Sequence, residues 1–100
     1  MGQFVFERGS LRIELQLGSN HTYIERITQS GTNTASNSIW EYHEHPPNLT
    51  LSHFWGPVVP LGSETVGLEQ NLFVLPVEPC GKTICLIVSD DDPVLRFKKN

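Results

Sequence analysis

The sequence predicts an all-β domain, a small antiparallel up-and-down barrel or flattened sandwich of about eight short strands. Three observations predict it: apolar residues recur at every second position in several stretches, clusters of Gly, Pro, Asn and Asp separate those stretches, and helical spacing is nearly absent. At 100 residues there is room for one domain, spanning 1–100. Strands with one apolar face each must bury those faces against one another, and closing the sheet on itself also removes its exposed edges. A crossover α/β fold would need helices between strands. The only connections long enough, 29–38 and 55–70, are full of helix breakers.

Taken in order, Phe4, Val5 and Phe6 lead into the first full strand, in which Leu11, Ile13, Leu15 and Leu17 alternate with Arg12, Glu14 and Gln16. Gly18, Ser19 and Asn20 end it as a turn, and residues 21–29 return with Tyr23, Glu25 and Ile27 on one face and Ile24, Arg26 and Thr28 on the other. A hairpin over about 11–29 results. Residues 29–38 hold no large apolar group and are rich in side chains that compete for backbone hydrogen bonds, so they read as a loop tethering two hairpins. Ile39–His45 alternates again, Pro46, Pro47 and Asn48 turn, and Leu49–Phe54 returns.

Residues 55–70, with two prolines and three glycines, fit neither period and read as a long ordered loop. Trp55, Val58, Val59, Leu61, Val66 and Leu68 make it too apolar to face solvent, at roughly 25 cal/mol per Å² of exposed apolar surface, so it is expected to lie across one end of the barrel as a lid or a plug. Strands resume at Leu72–Leu75, where Pro76 suggests an edge or a bulge, and at Thr83–Val88 after a turn over 79–82. Asp90, Asp91, Asp92 and Pro93 turn into a last strand over Val94–Lys98.

Composition excludes some functions. The net charge is −4, and of seven Lys and Arg only Lys98 and Lys99 are adjacent, too sparse a footprint for a nucleic-acid backbone. No apolar run approaches the roughly 20 residues that cross a bilayer, and the start lacks a basic and then apolar leader pattern, so neither membrane insertion nor export is expected and a cytoplasmic place is preferred. Cys80 and Cys85, in C-x4-C spacing, match neither a redox pair nor half of a complete zinc site, and are expected to stay reduced or weakly paired. The glycosylation triplets at Asn20 and Asn48 carry weight only in a secreted chain.

Leu15 and Leu17 followed by Tyr23, then Gly31, Trp40, and Leu49, Thr50 and Leu51, together with Ile84–Val88, the acidic turn and Leu95, Arg96 and Phe97, form a rhythm that resembles the small bacterial lipocalin-like proteins of uncharacterised function. The likeness spans roughly residues 10–55 and 82–98. It implies an antiparallel barrel with a cup for an apolar ligand, and it implies no catalytic residue.

Candidate chemistry starts with His43, His45 and His53, of which the first two share a strand face. If Pro46 and Pro47 form a two-residue connection, His43 faces Thr50 and His53 faces Trp40, on opposite sides of the sheet. A one-residue slip would gather Glu41 and the three histidines into a zinc-like site, but it would turn Leu49 and Leu51 away from Trp40 and Tyr42. Burying each leucine is worth roughly 1.5 to 3 kcal/mol, which opposes the slip. Ser52 and His53 are strand neighbours facing opposite ways and cannot form a nucleophile–base pair. Trp40, Tyr42, Phe54, Trp55 and Phe73 are the candidate ligand-binding residues, as the lining of an interior pocket or as plain core filling. Two functions follow: a module holding a small apolar ligand, or a solid structural or interaction domain. No cofactor is expected, and an exposed apolar cluster on one sheet face would argue for a homodimer.

Overall fold

A computed structural model of the chain describes residues 2–55, 70–89 and 95–99. Eight strands follow one another in it: β1 (Gly2–Arg8), β2 (Leu11–Leu17), β3 (Thr22–Gln29), β4 (Thr32–Glu44), β5 (Pro47–Phe54), β6 (Gln70–Cys80), β7 (Thr83–Ser89) and β8 (Leu95–Lys99). Each pairs antiparallel with the next, and β8 pairs back onto β1, closing an up-and-down barrel. No helix occurs among the described residues, and none there could cross a membrane as one.

Alternation does what the sequence leads one to expect in β2, where Leu11, Ile13, Leu15 and Leu17 are buried and the residues between them are not. These four pack with Phe4 and Phe6 of β1, Leu49, Leu51 and Phe54 of β5, Leu75, Leu86 and Phe97 into one apolar core. The rings of Phe54 and Phe97 lie 6.1 Å apart at 60°, and Phe6 lies 5.7 Å from Phe97, so aromatic side chains fill the centre of the barrel. Charges stay outside on β1 and β2, where Arg12 reaches Glu7 at 2.8 Å and Glu14 at 3.2 Å.

The β2–β3 turn is held by Trp40. Its indole Nε1–H donates to the Gly18 carbonyl at 3.1 Å, its backbone N–H donates to the His21 carbonyl at 2.9 Å, and its ring stacks on His21 at 5.3 Å. A side chain at Gly18 would press on Asn20 and Thr22, whose contact with each other closes the same turn.

Four expectations are corrected. Residues 29–38 are not a loop: Ser30 and Gly31 alone make the turn, and β4 begins at Thr32, paired to β3 as Gln29↔Thr32 through Thr22↔Ile39. Both turn residues have positive φ, 50° and 82°, as a two-residue type I′ hairpin requires, and this turn chemistry outweighs the lack of apolar residues. The β4–β5 turn is His45 and Pro46, with Pro47 already in β5, so Trp40 faces Leu51 and His43 faces Asn48. That register differs from the expected one by two residues, which preserves the inward faces and seats Trp40 on a leucine. In β6 the strand runs past Pro76 to Cys80, because Pro76 stands where β6 leaves β5 and takes up β7, a point where a missing donor disrupts least. Finally, Cys80 and Cys85 form a disulfide: the turn shrinks to Gly81 and Lys82, Cys80 pairs with Thr83, and the diagonal places the two Cα atoms 5.5 Å apart, within disulfide reach. The lid or plug expected over 55–70 lies, apart from Trp55 and Gln70, outside the described residues, as do the three aspartates.

Candidate binding cup

Past Trp40 and Leu51 the walls of the barrel part. The ladder would next pair Ile39 with Ser52, but no such pair forms. Two side chains of β3 hold the end of β5 instead. Tyr23 donates its hydroxyl to the Ser52 carbonyl at 2.6 Å, and Glu25 accepts the backbone N–H of Trp55 on Oε1 at 3.1 Å. His53 takes a positive φ of 52°, which breaks the alternation so that His53 is exposed and Phe54 is fully buried.

The parting leaves a cavity of about 670 Å³ between the β3–β4 ribbon and Trp55. Ile27 and Gln29 line it from β3, and Thr32, Thr34 and Ser36 from β4. Its volume falls in the range of small-molecule sites. Among the described residues, the walls combine the aliphatic side chains of Ile27 and Ala35 and the indole of Trp55 with hydroxyls and an amide.

Glu25 stands behind this wall. It lies two residues before Ile27 on the same face of β3, opposite Ser36, and accepts a hydrogen bond from Trp55; all three neighbours line the cavity. It has no solvent exposure, and its Oε2 has no hydrogen-bond partner among the described residues. Burial pushes its carboxyl up from 4.5 to about 8 against the opposing pull of the Trp55 N–H, so at neutral pH it is mostly a neutral acid. A protonated Oε2 can donate a hydrogen bond.

The residues proposed from sequence are spread over several places. Trp55 is half-buried and borders the cavity. Trp40 is buried on the β2–β3 turn, and Phe54 sits in the core, 5.1 Å from the half-buried ring of Phe73. Tyr42 faces Leu49 but is 41% exposed. The three histidines do not converge: His45 is in a turn, 4.0 Å from Glu44; His43 lies 3.8 Å from Glu41 on the outer face; and His53 is exposed on β5. Among the described residues no group of three potential ligands is close enough to hold a metal ion. Sequence reasoning missed Glu25. A lone carboxylate on the same strand face as Tyr23 and Ile27 was the signal that could have found it.

Comparison of the chain with protein-family models, with curated proteins and with solved structures finds no match.

Proposed function

We propose that this protein is a lipocalin-like binding module that holds a small, largely apolar molecule in the cup between the β3–β4 ribbon and Trp55, and that the molecule parts the wall at Ile27, Ser36 and Trp55 to set its oxygen acceptor against Glu25. The observation that carries the reading is Glu25 Oε2, fully buried, unpaired among the described residues and surrounded by residues that line the cavity. A buried polar atom without a partner costs about 1 to 3 kcal/mol, and a ligand that supplies the partner recovers it. The Cys80–Cys85 disulfide favours an oxidising compartment over the cytoplasm as its place of work.

Dodecanoic acid is a suitable probe. Titrating it should shift the tryptophan emission, and Trp55→Phe should remove the shift while leaving Trp40 in place. Ser36→Phe, at an exposed position on the cavity wall, should abolish binding, and Glu25→Gln should weaken it. Native mass spectrometry of fresh protein should show a retained small molecule. An unaltered spectrum together with a bare chain mass would reject the reading. The filled centre of the barrel then supports the second one, an interaction domain with a solid core.

A further inference from the structure

We propose that the N-terminal half of β4 is a self-pairing edge, at which two copies of this chain join antiparallel about a two-fold axis through Ala35. Residues 32–39 pair with β3 on one side, while on the other the β4–β5 ladder stops at Trp40↔Leu51. The backbone N–H of Trp40 points to the β3 side, where it meets the carbonyl of His21 just before that strand. Because an antiparallel ladder alternates, Asn33, Ala35, Asn37 and Ile39 direct their backbone donors and acceptors to the open side. Among the described residues nothing pairs with that side, and Thr32 to Asn37 are all exposed.

Natural sheets guard such edges with charges, prolines, bulges or short strands. This edge has none of those devices: Thr32–Ile39 carries no charged residue and no proline, and its register to β3 is unbroken.

The segment is also chemically palindromic. Reading Thr32, Asn33, Thr34, Ala35, Ser36, Asn37, Ser38 from either end gives hydroxyl, amide, hydroxyl, methyl, hydroxyl, amide, hydroxyl. An antiparallel pairing centred on Ala35 therefore sets like against like: Asn33 against Asn37 of the second copy, Thr34 against its Ser36, and Ala35 against its Ala35. The three pairs 33:37, 35:35 and 37:33 are those whose backbone groups face the edge, so each exchanges both hydrogen bonds. With no charge on residues 32–39, no like-charge repulsion opposes the match, and the two-fold closes the assembly at a dimer. A second copy is thus favoured over an unrelated peptide, for which the palindrome would have no use. Ala35 also lines the cup, so the pairing is proposed for the ligand-free chain, whose edge is open.

Sedimentation equilibrium of the full chain, from micromolar to submillimolar concentration, should show a reversible dimer of twice the 11.3 kDa chain. Asn33→Lys with Asn37→Lys opposes like charges in both outer pairs and should weaken association at least about tenfold; Asn33→Lys with Asn37→Glu opposes unlike charges and should restore it. Ala35→Cys should cross-link the copies under oxidation, because Cα atoms in a hydrogen-bonded antiparallel pair lie about 5.5 Å apart, within disulfide reach. Gln16→Cys, exposed on β2, is the control. A monomer throughout the range, charge variants that behave alike, or cross-linking at position 35 no faster than at position 16 would each overturn the proposal.

Discussion

β2 and the first half of β4 are both strands, yet they are strands for different reasons. In β2 four apolar side chains alternate into the core, and burial alone would dictate both the extended conformation and its register. From Thr32 to Asn37 every residue of β4 is exposed, and what orders the segment is its ladder to β3 and the turn that starts it. The first kind of strand resists change through packing. The second is held by backbone geometry, which leaves its side chains free to line a cavity on one face and to offer an edge to a partner.

The largest expected effects lie on the packed side. Leu15→Ala, at a site with no exposure, should destabilise by about 2 to 5 kcal/mol in urea unfolding, whereas Thr34→Ala should stay within about 0.5 kcal/mol. Equal losses at the two sites would erase the contrast. Glu25 tests the boundary between the two regions. An unfolded chain loses the Glu25 proton near 4.5 and the folded one near 8, so between these values the folded state holds a proton that the unfolded state has released, and stability must fall as pH rises. From pH 5 to 8 the loss should be on the order of 3 kcal/mol, complete above the folded value and absent below the unfolded one. Glu25→Gln should flatten that profile; an unchanged slope in the variant would place the titration elsewhere.

The disulfide should contribute less, because its loop is short. Cys80→Ser with Cys85→Ser should cost about 2 kcal/mol, and unreduced protein should weigh two hydrogens less than reduced protein. A free-thiol assay that finds both cysteines reactive would remove the bond from the fold. Smallest of all is the ribbon turn. Gly31→Ala meets no atom within 4 Å, so its cost of about 1 kcal/mol should come from the positive φ alone. Thermal melts that show no loss would mean that the ribbon does not depend on its turn.

The limits of the sequence show in particular residues. Leu49, Leu51, Trp40 and the β2 leucines reveal their faces through period-two spacing, so the barrel and most of its core were legible. Ser30 and Gly31 were not legible as a turn, because the polar run 29–38 has no apolar alternation and reads as one loop. Glu25 was hidden for another reason. Alternation places it on the inward face of β3, and a carboxylate there is expected at a surface, not in a closed wall.

The order of hydrophobic residues and turn signals by itself determined eight consecutive antiparallel strands, because the burial of alternate side chains is a local property of each segment. Only the tertiary structure decided where the barrel parts. That depends on Tyr23 and Glu25 meeting Ser52 and Trp55 across 29 and 30 residues of sequence. No spacing rule records such a meeting, since hydrogen bonds between distant segments exist only once the sheet has closed and brought their ends together.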